Sequence, residues 1–195
     1  MRLCVFQGTF NPIHKIHLEV ASFAKKHYDF DSILFIPAYI PPHKKIDKNL
    51  AKHRYNMVKL AISNISYFDI SDIEYKNETN SYTYNTITEL YKKYDIEGKI
   101  NFLIGTDAFI KIESWYKTEQ LKDLVHFIVF KRTTQFNEHD FDRLKEKGYD
   151  FEFSPMEYTD ISSTKLRNNI KQGISINNME IPTVKEYIKQ NGLYL

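Results

Sequence analysis

Four short apolar runs, separated by stretches of helical periodicity, constrain this chain more than any other feature. They are RLCVF (Arg2 to Phe6), SILFIP (Ser32 to Pro37), INFLIG (Ile100 to Gly105) and HFIVFK (His126 to Lys131). Continuous apolar character suits strands covered on both faces, as in a parallel sheet. Between the runs the apolar residues recur at helical spacing. His17 to His27 follows the first strand. AKHRYNMVKLAISNI, Ala51 to Ile65, sets Val58, Ala61, Ile62 and Ile65 on one face, and YTYNTITELYKKY, Tyr82 to Tyr94, does the same with Tyr84, Ile87, Tyr91 and Tyr94. Strand and helix in steady alternation predict an α/β fold, a Rossmann-like, doubly wound and mainly parallel sheet with helices on both faces. The last part, about residues 160–195, reads as helical. SSTKLRNNIKQG runs from serine caps to Gly173, and a second helix runs from Pro182 to Gly192.

The 195 residues fit a single domain, 1–195, able to bury a sizeable core. With 42% hydrophobic and 27% charged residues the composition is that of a soluble globular chain. A formal net charge of +2 is too small for nucleic-acid binding by bulk electrostatics, so no nucleic-acid partner is expected. Cys4 is the single cysteine, which precludes an intramolecular disulfide and makes a reducing cytoplasm the expected location. The apolar start is too short for a signal peptide, and no run approaches the length of a membrane span.

In doubly wound sheets ligands bind beyond the carboxyl ends of the strands. That puts QGTFNPIHKIH, PAYIPPHKK and GTDAF, each following a strand, on one rim. Gly8 permits a tight turn, and Pro12 holds Asn11 out of the helical region, so no helix begins before about Ile13. His14 and His17 then lie at the positive end of a helix, where anions bind readily. From spacing alone they could also be two surface histidines, or a zinc pair, although no third ligand lies nearby in sequence and Cys4 is in the strand. Asp107 could be a helix N-cap, Ser162 to Arg167 a capped helix start with a solvated arginine, and Trp115 a core residue.

The motifs together favour one set of readings. GTFNPIHKIH resembles the nucleotide-binding signature GTFDPxHxGH of the nucleotidyltransferase superfamily, and ISSTKLR, Ile161 to Arg167, resembles its second signature. IPPHK (Ile40 to Lys44), SYT (Ser81 to Thr83), IGTDAF (Ile104 to Phe109), WY (Trp115, Tyr116) and VKEYIKQNGLY (Val184 to Tyr194) are similar, in order and spacing, to bacterial nicotinate-nucleotide adenylyltransferases. The resemblance implies transfer of the adenylyl group of ATP to nicotinate mononucleotide, giving nicotinate adenine dinucleotide and pyrophosphate in NAD biosynthesis. No protein nucleophile is required, so catalysis rests on holding two anions together and stabilising charge.

By the same resemblance His14, His17, Lys44 and Arg167 carry catalysis. Gly8, Thr9, Phe10, His14, His17, Gly105, Asp107, Ile161, Ser162, Ser163, Thr164 and Arg167 bind ATP. Lys44, Thr83, Trp115 and Tyr116 bind the mononucleotide, with Trp115 stacked on the pyridine ring. Magnesium is implied as the ion that ATP brings, without a protein carboxylate cage. A monomer or a homodimer is compatible with the sequence.

Several positions depart from the family pattern. Ile16 stands where a glycine separates the histidines, Gln7 replaces an earlier glycine, and Asn11 replaces an aspartate. Ile16 either packs into the helix–sheet interface, as Val20, Phe23 and Ala24 on its face suggest, or crowds the nucleotide. KRTT, Lys131 to Thr134, lacks the usual proline and leaves Arg132 without an inherited role. Two other functions remain open: an adenylyltransferase of this fold with another acceptor, such as nicotinamide mononucleotide or phosphopantetheine, and a non-catalytic nucleotide sensor.

Overall fold

The computed structural model describes residues 1–42, 47–76, 79–157, 162–176 and 180–195. Strand β1 (Leu3–Gly8) is followed by α1 (Lys15–His27), β2 (Ser32–Pro37), α2 (Ala51–Ile62), β3 (Phe68–Ile70) and α3 (Thr83–Lys93). The second half runs β4 (Ile100–Gly105), α4 (Thr106–Phe109), α5 (Thr118–Leu124), β5 (Val125–Phe130), α6 (Asp142–Glu146), β6 (Phe151–Phe153), α7 (Ser163–Lys171) and α8 (Pro182–Gln190). The strands form one sheet in the order β3-β2-β1-β4-β5-β6, with every pairing parallel. This is the expected Rossmann-like architecture.

The apolar runs are continuous because alternate residues feed two cores. Cys4, Ile33, Phe35, Leu103, Ile128 and Phe130 point to one face, where α1, α2 and α8 pack through Ala21, Ala24, Met57, Val58, Val184 and Ile188. Leu3, Val5, Leu34, Ile36, Phe102, Ile104, Phe127 and Val129 point to the other, covered by Ile87 and Leu90 of α3, Leu121 of α5 and Leu144 of α6. Cys4 is fully buried, and burial raises its thiol pKa well above the usual value, which keeps it unreactive. Among the described residues no helix is long and apolar enough to cross a membrane.

The two central strands organise the site. Successive crossovers from β1 move towards β2 and β3, whereas β4 lies on the opposite side of β1, so the connections part at the carboxyl ends of β1 and β4 and leave a crevice there. The C-terminal segment closes one side of it. Val184 and Ile188, one turn apart on α8, are buried among residues of α2, at about 2 kcal/mol each, and the Tyr187 hydroxyl accepts from Asn56 Nδ2 at 3.0 Å.

Three expectations shift. The short edge strands β3 and β6 were not anticipated, because three residues carry too little pattern to separate a strand from a loop. The buried stripe of α3 is Thr83, Thr86, Ile87 and Leu90, while Tyr84, Tyr91 and Tyr94 pack on its flank. Gly8 makes no left-handed turn. It ends β1 opposite Pro37, and a side chain there would put its Cβ 2.9 Å from the Phe10 ring. The left-handed residue is Phe10 itself, at φ 46°.

Candidate active site

Two adjoining cavities open on the rim of the sheet. The larger, about 900 Å³, is walled by the β1–α1 loop, the end of β4 and the start of α7. The smaller, about 420 Å³, lies between the ends of β1 and β2, the start of α3 and the segment around Trp115. Gly8, Thr9, Gly105 and Asp107 line both, so the two spaces meet at the carboxyl ends of β1 and β4.

Residues expected at a nucleotide site gather on the larger cavity: Gly8, Thr9, Phe10, His17, Gly105, Asp107, Ser162, Ser163, Thr164 and Arg167. Ile161 and Lys44 lie outside the described residues. Three helices, α1, α4 and α7, begin at this wall and turn their positive ends towards it. Phe10 is held beneath the loop by Phe6, Phe35 and the His17 ring, at centroid distances of 5.5, 5.8 and 5.1 Å. A phenylalanine at positive φ is strained by about 1–3 kcal/mol, and this packing holds it there.

The two histidines have different surroundings. His17 Nδ1 accepts from the His14 backbone N–H at 3.1 Å. A neutral imidazole that accepts at Nδ1 must carry its proton on Nε2, so His17 has its donor on the other edge of the ring. His14 is 0% exposed and does not line the cavity, which overturns the surface-histidine alternative for it. Its ring lies 3.8 Å from that of His17, centroid to centroid. Neither ring nitrogen has a hydrogen-bond partner among the described residues. Among the described residues no group of three or more metal-ligating side chains is placed to hold an ion.

Burial, helped by the positive charge of Arg132, lowers the His14 pKa to about 3. Its folded-state value is below the unfolded value of about 6.5, so between the two it is the unfolded chain that binds the extra proton. Stability from this residue is therefore present above pH 6.5 and lost as pH falls towards 3. Comparing denaturation midpoints of the wild type and His14→Gln from pH 7 to 4 checks this. The wild type is expected to lose up to about 1.4 kcal/mol more per pH unit than the variant; parallel pH profiles would show that His14 titrates normally.

Helix α7 ties the loop down. Ser162 is its N-cap, accepting from Lys165 N–H at 3.2 Å. Ser163 Oγ donates to the Pro12 carbonyl at 2.9 Å, and Arg167 Nη1 donates to the Asn11 carbonyl at 2.8 Å. Ser163 and Arg167 thus share a face, as their spacing predicts, and the arginine is anchored rather than merely solvated. The Tyr194 hydroxyl donates to Asn11 Oδ1 at 2.6 Å, and burial pushes its pKa up, so it stays a donor. An aspartate at position 11 is therefore not needed to engage the C-terminal tyrosine.

Asp107 is not the cap of α4; Gly105 holds that position. The Asp107 carboxylate is mostly exposed on the cavity wall, 3.8 Å from Arg132 Nε. A Cβ on Gly105 would fall within 2.7 Å of both Asp107 and Arg132, so any larger residue would push these two side chains from their present positions. Arg132, left without a role by the sequence, lines the same wall, and its backbone N–H is fixed by Thr106 Oγ1 at 3.0 Å. Ile16 is 6% exposed, yet it belongs to neither core and lines the cavity. The two alternatives for it thus meet in one position, buried and on the nucleotide wall.

Thr83, Trp115 and Tyr116 line the smaller cavity. Thr83 is the first residue of α3, so that helix aims its positive end at this space. Trp115 is half-buried and packs edge-on against Phe102 at 6.4 Å, so it has contacts with both core and cavity. Tyr116 lies exposed on the outer lip, 4.7 Å from the Tyr82 ring.

Two buried charged residues escaped the sequence reading. Arg54 of α2 is 0% exposed. It donates to the carbonyls of Thr9 at 2.9 Å, Tyr39 at 2.8 Å and Ala38, clamping the loops after β1 and β2 to each other. Burial lowers its pKa. The available signal was a cation at helical spacing from Ala51 and Val58, within the apolar stripe. Glu74, 8% exposed, accepts from Gln7 Nε2, from Thr86 Oγ1 at 2.7 Å and from Tyr39 N–H at 3.3 Å. Burial raises its pKa and the donors around it oppose that rise.

The model of the cytidylyltransferase-like family matches residues 5–169. A probable nicotinate-nucleotide adenylyltransferase of Caldicellulosiruptor saccharolyticus is 37% identical over 201 aligned positions, covering 100% of this chain and 99% of that protein. Another, from Clostridium botulinum strain Loch Maree, is 36% identical over 97% of each chain. The solved Plasmodium falciparum nicotinic acid mononucleotide adenylyltransferase complexed with NaAD shares the fold, with a TM-score of 0.77 and 22% identity over 98% of this chain and 96% of that one. The chain belongs to the cytidylyltransferase-like family, and within it to the nicotinate-nucleotide adenylyltransferases.

Proposed function

We infer that the protein joins nicotinate mononucleotide to the AMP part of ATP, releasing pyrophosphate. The observation that carries this reading is the meeting of the two cavities at Gly8, Thr9 and Gly105, each bounded by a helix N-terminus. Two anionic substrates can lie there end to end, with the mononucleotide phosphate facing the ATP α-phosphorus. In-line attack forms the new P–O bond as the bond to pyrophosphate breaks, and no enzyme-bound intermediate is needed.

In this reading the Nε2–H of His17 meets the phosphoryl oxygens that gain charge, and Arg167 and Arg132 add positive charge along the triphosphate. The hydroxyls of Ser162, Ser163 and Thr164 surround it at the start of α7. ATP enters as its magnesium complex, which neutralises part of its charge. The amide end of α3 at Thr83 and the backbone by Tyr116 receive the nicotinate carboxylate, and Trp115 walls the ring.

Pyrophosphate release is expected only when ATP, magnesium and nicotinate mononucleotide are all present; ATP binding without release would favour the sensor reading. Trp115 is also the only tryptophan, so its fluorescence reports one site. Trp115→Ala is expected to raise the KM for the mononucleotide at least tenfold, and the KM for ATP by much less. A stacked aromatic pair contributes about 0.5–1.5 kcal/mol beyond the area it buries. Equal effects on both substrates would return Trp115 to a packing role.

A further inference from the structure

Gln7 is the next-to-last residue of β1 and lines the smaller cavity. Its carboxamide has a direction, because one end only donates and the other only accepts. The Nε2 end donates to Glu74 Oε1. The other neighbours of that carboxylate also donate. Thr86 Oγ1 is at 2.7 Å and Tyr39 N–H at 3.3 Å. Ser81 Oγ, which already receives the N–H groups of Tyr39 and Ile40 at 2.7 and 3.2 Å, has its own proton left to give. Glu74 is thus an acceptor on every side, and turning the Gln7 amide over would set oxygen against carboxylate.

The Gln7 oxygen consequently faces Thr83, whose hydroxyl donates to it at 2.8 Å. A hydroxyl has one proton. With that proton spent on Gln7, Thr83 can offer only lone pairs to a ligand in the cavity it lines. Lone pairs oppose a carboxylate and accept from the N–H of a carboxamide. With glycine at position 7, the hydroxyl could turn its proton to the ligand instead.

We propose that Gln7 is a specificity-determining residue which, by engaging the Thr83 proton, admits nicotinamide mononucleotide as a second adenylyl acceptor beside nicotinate mononucleotide. This rests on reading the smaller cavity as the acceptor site. The test is kcat/KM for both mononucleotides, at saturating magnesium and ATP, in the wild type, Gln7→Met, Thr83→Val and the double variant. Each ratio of nicotinate to nicotinamide comes from one preparation, so the folded fraction cancels.

The wild type is expected to release pyrophosphate with either mononucleotide. Gln7→Met frees the proton and should raise the ratio about tenfold, the worth of one hydrogen bond. Thr83→Val removes the lone pairs and should raise the ratio by loss on the nicotinamide side. The double variant should match Thr83→Val, because Gln7 acts through that hydroxyl. A purely structural Gln7 would weaken both substrates alike.

No turnover of nicotinamide mononucleotide by the wild type, or an unchanged ratio in Gln7→Met, overturns the proposal. If Gln7→Met does not fold, an unchanged ratio in Thr83→Val overturns it alone. Trp115→Ala separates the two layers. If it leaves both mononucleotide KM values unchanged, the acceptor-site reading itself fails; if it raises both while Gln7→Met leaves the ratio alone, only the specificity role fails.

Discussion

Replacing His17 by Ala is expected to lower turnover by about a hundredfold or more, with little change in melting temperature. One preorganised donor aimed at developing charge is worth roughly 10²–10³ in rate. His17 is preorganised in this sense: the His14 backbone N–H occupies Nδ1, and the rings of Phe6 and Phe10 pack at 5.9 and 5.1 Å. The imidazole therefore has one orientation and one tautomer before substrate arrives. Its structural contribution is a bond at the helix start, about 1 kcal/mol, and one of three ring contacts on Phe10, of which those with Phe6 and Phe35 remain in the variant. Steady-state kinetics and a thermal melt on the same protein separate the roles. A large fall in melting temperature with normal turnover per folded molecule would make His17 structural.

Arg54→Met should have the largest effect on stability. The substitution keeps an apolar stem of similar length, so what it removes is the guanidinium and its bonds to Thr9, Ala38 and Tyr39. It leaves three carbonyls to find other donors. Removing one member of a buried charged network costs about 3–5 kcal/mol. For a chain of this length that lowers the melting temperature by about 10 °C. Because Thr9 walls both cavities and the β2 loop walls the smaller one, the KM values for ATP and the mononucleotide should rise together. A melting temperature within about 2 °C of the wild type would mean that water replaces the guanidinium without loss.

The hydrogen bonds of the two buried charged residues, Arg54 and Glu74, also explain how one loop segment can serve two substrates. Tyr39 offers its N–H to Glu74 and its carbonyl to Arg54, so the backbone leaving β2 is fixed from both sides. Arg54 carries that restraint to Thr9, and Gln7 carries it to Thr83. The two walls are connected through side chains that need not touch either substrate.

Much of this was legible in the sequence, for a local reason. The strands β1, β2, β4 and β5 announce themselves because a strand covered on both faces must be apolar at successive positions, whatever its neighbours are. The cavity walls were legible through the resemblance of GTFNPIHKIH and ISSTKLR to nucleotidyltransferase signatures; read locally, the hydroxyls and Arg167 at the start of α7 suited ordinary capping equally well. Even the shared face of Ser163 and Arg167 follows from helical spacing alone.

The tertiary structure decided what depends on distant partners. Strands β3 and β6 exist because the edges of a formed sheet offer hydrogen bonds to three-residue segments that have little tendency of their own. His14 reads as a polar residue near a helix start, and only packing behind His17 makes it a buried, neutral imidazole. Gly8 is required by the ring of Phe10, not by a turn. Gln7 meets Glu74 across 67 residues of sequence, and Thr83 across 76. A polar side chain carries no mark of which buried group will satisfy it, because hydrogen bonds are directional and close at about 3 Å. Apolar burial requires only the right face; polar burial requires the right partner, and folding alone supplies it.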